Sequence, residues 1–533
     1  MLDRSRSPSD KSWLIESSAF MAFNERIHYV RPDKARINFI FAVTLLWGII
    51  AAVLGAFLLS EYGFSSKGSK FYLFPWCLAT GAAAALPSII YASRGKFNPL
   101  NPIVYFAWTF FIPSCFLGGI FLALGISDAY FQSYIQDESY NLPLTFFYII
   151  IGYLAMCLGY VLPYGAIAGK RIASVLPKWE LRDNSLLVPG YILLFLGIAN
   201  TLLAFAFGTF GFQRVKEYTE YDGLVYLLSL WWQLAAFLLW LYVFRQPRIN
   251  TKVLVTIFFL VTTALGKAAF QGNRASLLPH LIMIGFAFLL AGRRLALRHY
   301  VTGFALLIVA VFVGMVYGTT FRLVKQSEEQ IGLSEYAEMV ATTFSRLSEQ
   351  DIGTTVSLGL TTFANRIDAV SSLAVVVSNY EALAPYEEQV GISNNIWVDT
   401  ATFFIPRIIW KDKPVAIDPT KYADLYFNFS DNSFTMTPIG DLLRNFGPIG
   451  IPIGMLVLGL FLRVIYRALI EGQPFSFWRA AIFYMMVSIT TFEGTYGLIV
   501  PNMFKVGTIS LAGLIFVVVL THLRLGRQRF VGN

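Results

Sequence analysis

Apolar runs long enough to cross a lipid bilayer recur along this chain of 533 residues. A helix needs about 20 residues to span the hydrocarbon core, whereas a barrel strand needs only about 10 and alternates in polarity. The composition agrees with helices, since 56% of the residues are hydrophobic and only 14% are charged. The sequence therefore predicts an all-α polytopic membrane protein and not a string of soluble domains.

Short polar connections divide the apolar runs into twelve predicted membrane-spanning helices. The polar segment before the first run is too long for the start of a cleaved signal peptide, so we expect that run to be retained as a helix. The predicted spans cover about residues 38–60, 71–92, 102–126, 143–168, 186–208, 223–244, 252–270, 275–291, 300–319, 447–466, 479–499 and 502–522.

Lys and Arg are distributed unevenly between the connections. If the N-terminus lies in the cytoplasm, every inner segment is basic, and the short outer loops hold few of the 41 cations. Such a bias marks the cytoplasmic side of short loops. We therefore predict that both termini are cytoplasmic. The net charge of +9 comes mostly from these cations, so we expect no nucleic-acid partner.

This topology leaves one long outer stretch between the ninth and tenth spans. A connection of that length is usually functional or carries structure of its own. The predicted organisation is a cytoplasmic N-terminal segment (1–37), a bundle of about nine helices (38–319), a large outer loop (320–446), a bundle of about three helices (447–522) and a cytoplasmic tail (523–533).

The outer loop contains two segments with helical character. The first, LSEYAEMVATTFSRL, predicts an amphipathic helix on the membrane surface. The second, NRIDAVSSLAVVVSNY, is apolar in its middle but too short to span, so we expect a re-entrant or interfacial position. The apolar face of the first segment consists of Leu333, Tyr336, Val340, Phe344 and Leu347.

Cationic side chains gather on the predicted outer side, where they cannot serve as cytoplasmic anchors. Guanidinium groups bind phosphate oxygens in pairs, so several together would suit a phosphate or pyrophosphate near the lipid headgroups. Each alone would equally suit a surface ion pair or a headgroup contact. Within FFIPRIIWKDKP, the two prolines stiffen the loop. The cations are Arg274, Arg322, Arg366, Arg407, Lys413 and Arg444.

Three acidic residues accompany these cations. Asp441 precedes Arg444 by three residues, so on a helix the two share a face and can pair directly. Glu493 lies near the outer end of a predicted span, where a charge is costly and often functional. Asp368 follows Arg366 in NRID. An acid of this kind either pairs with a cation or serves as a catalytic base.

Other chemistry is not indicated by the sequence. No His, Cys and Asp cluster has metal-ligand spacing, and no Ser-His-Asp or nucleotide-binding pattern is present. The three cysteines lie within apolar runs and suggest small buried hydrophobic residues. We therefore expect no metal and no cofactor. An outer-face reaction would need a substrate that carries its own activation, such as a sugar on a lipid pyrophosphate.

Four stretches, in order, resemble the Wzy-type oligosaccharide repeat-unit polymerases of bacterial O-antigen and exopolysaccharide pathways. The most specific parts are the Pro-Arg…Trp-x-x-Lys-Pro element and the Asn-Phe-Gly-x-x-Gly that follows it. The resemblance covers about residues 265–470, and the N-terminal six spans match only in hydropathy. The stretches are GNRASLL, NRIDAVSSLAVVV, FFIPRIIWKDKP and FTMTPIGDLLRNFGPIGIPIG.

The resemblance implies a glycosyltransferase of the bacterial inner membrane that resembles the C-type membrane glycosyltransferases in fold. On the periplasmic face, it would transfer a growing glycan from polyprenyl (undecaprenyl) pyrophosphate to the non-reducing end of a new lipid-linked repeat unit. A flippase and a chain-length regulator are its expected partners. The implied pyrophosphate-binding residues are Arg274, Arg366, Arg407, Lys413 and Arg444, and the candidate bases are Asp441, Glu493 and Asp368, in that order.

Four other functions stay open. A flippase for lipid-linked oligosaccharides would carry charges midway through several spans and a visible internal repeat, and neither is seen here. A lipid-linked-glycan ligase shares the donor and differs only in its acceptor. A transferase using polyprenyl monophosphate sugars would place acids in the first outer loop, which offers only Glu61. A membrane scaffold without catalysis is the fourth.

Overall fold

A computed structural model of the chain describes residues 44, 47–48, 51–52, 69–125, 129–177, 179, 183–212, 221–272, 277–293, 297–326, 329–351, 353–355, 357, 367–405, 409–410, 413, 419–429 and 436–531. All regular secondary structure in this part of the chain is helical. The helices are α1 Phe74–Ser93, α2 Pro102–Ala123, α3 Ala129–Gln132, α4 Glu138–Val161, α5 Pro163–Val175, α6 Asp183–Ala206, α7 Asp222–Arg245, α8 Thr251–Gln271, α9 Leu278–Leu290, α10 Leu297–Lys325, α11 Leu333–Glu349, α12 Ala369–Val390, α13 Asn395–Thr402, α14 Pro419–Phe427, α15 Thr437–Leu469, α16 Phe477–Ser488 and α17 Tyr496–Val531.

Nine helices of the described residues are long and apolar enough to cross a membrane, namely α1 (with the turn before it), α2, α4, α6, α7, α8, α10, α15 and α17. The chain is therefore an all-α, multi-pass membrane protein. The predicted first span (38–60) lies almost entirely outside the described residues. The predicted eighth span corresponds to α9, which has only 13 residues. The predicted eleventh span is interrupted.

The interruption separates α16 from α17 and corrects the predicted span over 479–499. Helix α16 ends at Ser488, a non-helical connection follows, and α17 begins at Tyr496. The ring of Phe492 lies in this connection and packs against Phe106, Phe110 and Phe111, at centroid distances of 4.9, 5.6 and 5.3 Å. Non-helical backbone is tolerated at membrane depth where protein covers it. Hydropathy alone cannot reveal such a break, because the connection is itself partly apolar.

Helices α4 and α15 cross at backbone contact. A Cβ on Gly159 would lie 2.0 Å from the carbonyl oxygen of Leu456, and a Cβ on Gly459 would lie 2.0 Å from that of Met156. Only glycine permits this approach, as in the small-residue interfaces of other membrane helices. The crossing makes α4 and α15 the central pair of the bundle.

Helix α15 consists of two arms that meet at Gly447. This glycine has φ 69° and ψ −171°, a conformation that is essentially restricted to glycine. We call residues 437–446 the short arm and 448–469 the long arm. The short arm packs back on the long arm, since a Cβ on Gly454 would meet the side chain of Leu442 at 2.3 Å. The kink agrees with the predicted start of a span at residue 447.

The predicted amphipathic helix is present as α11. Tyr336 is fully buried and Leu347 is partly buried, in a cluster with Phe205, Tyr317 and Phe321. Thr343 is buried as well, while Leu333 and Phe344 of the predicted apolar face are 49% and 55% exposed. The Phe344 ring lies 5.2 Å from the Tyr317 ring. The contact of this face with a membrane surface stays a prediction.

Helix α12 corresponds to the second predicted segment. All nine residues from Ala369 to Val377 are buried, and the helix packs on α4, α14 and α15. The first half of α12 is therefore covered by protein on every side. Its re-entrant or interfacial position relative to the membrane stays a prediction. Its later half is largely exposed.

The bundle has two ends, which we name after one cation each. At the Lys70 end, Lys70 pairs with Glu138 at 2.7 Å, and the Gln136 amide donates to Asn379 at 2.9 Å. At the Arg479 end, Arg479 donates to the carbonyl oxygen of Ala173 at 3.4 Å. The residues in contact at the Lys70 end all belong to predicted outer segments. The residues in contact at the Arg479 end belong to predicted inner segments. Helix α4 followed by α5 runs from one end to the other.

Candidate functional site

A group of polar side chains, most of them buried, joins three helices close to the kink in α15. We call it the Arg444 cluster. Glu387 comes from α12, Asn395 from the start of α13, and Asp441, Arg444 and Asn445 from the short arm of α15. The side chains of Glu387, Asp441 and Arg444 are 5%, 0% and 1% exposed, respectively. Charges at such depth require partners, because desolvation is costly.

Arg444 is surrounded by acceptors. Its Nη1 lies 2.7 Å from Oε2 of Glu387, and its Nε donates to Oδ1 of Asp441 at 3.2 Å. Its Nη2 donates to the carbonyl oxygen of Ile392 at 3.1 Å and to Oδ1 of Asn395. The predicted direct pairing of Asp441 with Arg444 is confirmed. In this structure, the guanidinium of Arg444 serves to hold α12, α13 and α15 together.

Asp441 is satisfied on both carboxylate oxygens. Oδ1 also accepts from the Asn445 amide at 3.2 Å, while Oδ2 accepts from the backbone N–H of Gly497 at 3.1 Å and from Asn395 at 3.4 Å. Gly497 is the second residue of α17. The positive end of a helix, equivalent to about half an elementary charge, stabilises a carboxylate at this position. Asp441 thereby fixes the N-terminus of the last helix.

Glu387 has a second donor in Tyr426 of α14. The hydroxyl of Tyr426 donates to Oε1 of Glu387 at 2.7 Å. Burial, followed by the charge and hydrogen bond of Glu387, raises the pKa of Tyr426 far above its usual range. The hydroxyl therefore stays protonated and remains a donor. Two carboxylates face one guanidinium here, and this hydroxyl together with the α17 N-terminus stabilises the additional negative charge.

The Arg444 cluster holds α13, the helix that directly precedes the motif FFIPRIIWKDKP. Helix α13, which Asn395 ties to the cluster, leads into residues 403–414, which we call the cation loop. At its start, the rings of Phe403 and Phe504 lie 5.5 Å apart, so the loop leaves from the side of α17. The Nζ of Lys413 donates to the carbonyl oxygen of Ile405 at 2.9 Å and closes the loop. In the sequence, Arg407 stands between Ile405 and Lys413.

Three of the predicted phosphate ligands, Arg274, Arg366 and Arg407, lie outside the described residues. Their roles stay predictions. Lys413 is half-buried, and its Nζ donates to the carbonyl oxygen of Ile405 at 2.9 Å. The guanidinium of Arg322, another of the predicted outer cations, lies 4.5 Å from the ring centroid of Phe212, which is the distance of a cation–π contact.

The three candidate bases have different surroundings. Asp368 precedes α12, where its Oδ1 accepts from the backbone N–H groups of Val370 and Ser371 at 3.0 and 2.9 Å. That is the role of a helix N-cap. Asp441 is fully engaged in the Arg444 cluster. The carboxylate of Glu493 is exposed and makes no hydrogen bond or ion pair within the described part of the chain. Of the three candidates, Glu493 is therefore the one whose carboxylate oxygens are accessible to accept a proton from a substrate.

Sequence reasoning missed Glu387, Asn395 and Gly497. Glu387 stands in a polar stretch beside Glu388 and Glu381, where no pattern distinguishes it. Gly497 acts through its backbone, which hydropathy does not register. A signal existed for Asn445, because it lies one helical turn after Asp441 and donates to the Asp441 backbone at 2.8 Å.

The described residues contain no group of three or more His, Cys, Asp or Glu side chains arranged to hold a metal ion. In the comparisons with known proteins, no family model, no curated protein and no solved structure matches this chain.

Proposed function

We propose that this protein polymerises lipid-linked oligosaccharide repeat units. It would transfer the growing glycan from polyprenyl pyrophosphate to the non-reducing end of a new lipid-linked repeat, on the outer face of the inner membrane. The proposal rests on the motifs that resemble Wzy-type polymerases. The structural observation that supports it is the anchoring of the cation loop by the Arg444 cluster and by Lys413.

Anchoring matters because a cationic loop binds phosphate well only when its charges are already in position. The loop follows α13, whose Asn395 is held by the side chains of Asp441, Arg444 and Asn445. Its Lys413 ammonium donates to the carbonyl oxygen of Ile405 near its start. Pro406 and Pro414 restrict the backbone between and beside these points. Arg407 would therefore be presented by a stiff loop and would lose little conformational freedom on binding pyrophosphate.

Apolar side chains of the same loop suit a lipid-linked substrate. Phe404, Ile409 and Trp410 are 66%, 77% and 38% exposed. Aromatic residues favour the membrane interface, where the pyrophosphate of a carrier lipid would also lie. Cations and exposed apolar groups in one loop match a ligand that has a charged head on an apolar chain.

The proposed step is a displacement at the anomeric carbon of the donor glycan. The acceptor hydroxyl oxygen attacks C1, the bond from C1 to the phosphate oxygen breaks, and polyprenyl pyrophosphate leaves with the electron pair. Arg407 and Lys413 would stabilise the charge that develops on the leaving pyrophosphate. The hydroxyl proton passes to a carboxylate. No external energy source is needed, since the donor is already activated.

Glu493 is the favoured base among the three acids. Its carboxylate is exposed and contacts no polar partner in the described segments, whereas Asp441 and Asp368 each accept hydrogen bonds that position a helix. Gly497 contacts α13, and Glu493 stands only four residues before Gly497. Four residues of extended chain span at most about 14 Å, so Glu493 lies within about that distance of this contact. We therefore place Glu493 before Asp441, which reverses the order favoured by sequence.

The direct test is polymerisation by the purified protein in lipid nanodiscs with a synthetic polyprenyl-pyrophosphate-linked repeat. We expect a product ladder and release of one polyprenyl pyrophosphate for each bond formed. Arg407→Ala should abolish the ladder, and Arg407→Lys should not restore it fully, because an ammonium lacks the fork geometry. Arg346→Ala is the matched control, since Arg346 is exposed on α11 of the same outer segment.

A second set of variants tests the base. We expect Glu493→Gln to reduce the rate by about 10²–10⁴-fold without reducing the amount of folded protein, the range found for general-base catalysis. Glu338→Gln, exposed on α11, should leave the rate unchanged. An active Glu493→Gln protein would return the role to Asp441 or Asp368. Loss of outward delivery of single repeats in cells carrying Arg407→Ala would instead support a flippase.

A further inference from the structure

A cavity at the Arg479 end lies far from the Arg444 cluster and has no part in the proposed reaction. Its volume is about 170 Å³. A single water molecule needs only about 10–15 Å³, so the cavity can hold a larger group. Its apolar side comes from Leu290 and Leu469, and its polar side from Gln473, Ser476 and Arg479. Pro474 and Phe475, which also line it, are exposed, so the cavity borders the protein surface.

Arg479 is a buried cation with no counter-ion among the described residues. Its residue surface is only 7% exposed, and no carboxylate of the described residues lies within ion-pair distance. The guanidinium donates to Oε1 of Gln473 and to the carbonyl oxygen of Ala173. Two bonds leave three of its five N–H donors for another partner. A buried charge balanced only by neutral acceptors is costly, and an anion in the cavity would remove that cost.

Ser476 provides a second, independent observation. It occupies the N-cap position of α16, where a serine hydroxyl normally accepts from the first turn, yet it makes no such bond. Its Oγ is buried and has no hydrogen-bond partner within the part of the chain that the structure describes. Buried hydroxyls are rarely left unpaired, because desolvation without a partner is unfavourable. The uncapped N-terminus of α16 adds positive potential at the same place.

The remaining donor is the amide of Gln473. Because its Oε1 accepts from Arg479, its Nε2 is left as a donor beside the cavity. Nearby, the guanidinium of Arg245 lies 4.2 Å from the ring centroid of Phe475 and adds further positive charge to the rim. The cavity therefore presents a guanidinium, a hydroxyl and an amide, all able to donate.

We propose that this cavity binds a phosphate group. Phosphate offers several oxygens to the three donors, and a guanidinium can bind two of them at once. The group could belong to a membrane phospholipid, whose acyl chains would pass the exposed Phe475, or to a soluble phosphate compound. In both cases the ligand holds α16 to the ends of α5, α9 and α15. The proposal is independent of the polymerase proposal, which concerns the other end of the bundle.

The test uses the purified full-length chain, stripped of lipid in a neutral detergent. Thermal unfolding is measured with inorganic phosphate and, separately, with dihexanoyl phosphatidylglycerol, against chloride at equal ionic strength. We expect a dose-dependent rise in Tm with at least one probe. A response to both identifies phosphate alone as sufficient, and a response only to the lipid identifies a headgroup site.

Variants decide whether the response comes from this cavity. Arg479→Gln should weaken the apparent affinity about tenfold or more, as expected for loss of charged hydrogen bonds. Arg171→Gln is the matched control, being an exposed arginine at the same end. Ser476→Ala removes a hydroxyl that bonds nothing in the free protein, so it should weaken binding without lowering the ligand-free Tm. This variant keeps the test valid if Arg479→Gln fails to fold.

Two results would overturn the proposal. One is the absence of any Tm rise with either probe. The other is a phosphate response in Ser476→Ala and Arg479→Gln that equals the response of the unchanged protein.

Discussion

The side chains of the Arg444 cluster illustrate how one buried cation organises three helices. Arg444 satisfies acceptors from α12, from the segment before α13 and from its own helix, so each acceptor limits where its helix can lie. Removing one partner from a buried ion pair leaves a charge without compensation, which costs about 3–5 kcal/mol. The structure therefore gives Arg444 a positioning role, and we expect its loss to lower the stability of the fold more directly than the rate of a reaction.

Glu387→Gln tests this role. The substitution keeps the shape of the side chain and an acceptor for Tyr426 but removes the charge opposite Arg444. Because Arg444 keeps Asp441 as a counter-ion, we expect a loss of about 1.5–3 kcal/mol in stability, the range for a hydrogen bond to a charged group, seen as a lower Tm for the purified protein. Glu388→Gln is the control, because Glu388 is the next residue and is exposed. Equal Tm values for the two variants would contradict the role.

The sequence allowed part of this cluster to be predicted. The spacing of Asp441 and Arg444 was sufficient, because helical neighbours three residues apart must share a face. Glu387 and Asn395 were beyond reach, since they arrive from 57 and 49 residues away and only tertiary packing brings them to Arg444. Asn395 stands 49 residues before Arg444 in the sequence, yet the two side chains are hydrogen-bonded. Long-range pairing leaves no periodic signal.

The length of an apolar run predicts most of the helices, but it does not predict the break before α17 or the conformation of the kink at Gly447. The predicted spans agree with α1, α2, α4, α6, α7, α8, α10 and α17 because twenty apolar residues define a span by length alone. The break before α17 was missed, since its backbone is covered by the rings around Phe492 and its composition stays partly apolar. The kink at Gly447 is a conformational feature, and glycine is the residue that permits it.

Gly447→Ala tests the kink at the scale of the element. A Cβ at this position would meet no atom within 4 Å, so any effect must come from the backbone conformation. We expect a loss of about 1–3 kcal/mol, the cost of holding a non-glycine residue in this region. Gly303→Ala in α10 is a matched control, with open space around its Cβ and a helical conformation. That change should leave Tm equal or higher, because alanine favours helix. A neutral Gly447→Ala would show that the kink relaxes freely.

The whole molecule has its cations arranged around two ends, and the predicted topology assigns a compartment to each. Helix α12 reaches the Lys70 end, where the Asn379 amide donates to the carbonyl oxygen of Tyr134 at 2.9 Å. Helix α5 lies at the other end, where Ala173 accepts from Arg479. The positive-inside rule predicts that the second end faces the cytoplasm. Everything proposed for the cation loop requires the first end to face outward.

Cysteine labelling tests the orientation. We expect Glu388→Cys to react with a membrane-impermeant maleimide in intact spheroplasts, and Arg171→Cys to react only after lysis. Both side chains are exposed and lie towards opposite ends. The unsubstituted chain is the control, since two of its three cysteines are buried and the third is partly buried. Labelling in the reverse order would remove the basis of the polymerase proposal.

The hydrogen bond from Gly497 to Asp441 joins positions 56 residues apart, and its donor belongs to the last helix. During synthesis, the ribosome completes α12, α13 and the short arm of α15 before it makes α17. Until then, the Asp441 carboxylate lacks one of its donors. The Arg444 cluster is therefore complete only after α17 has been made, so a chain truncated before α17 would lack both the Gly497 donor and the Phe504 ring that packs on Phe403.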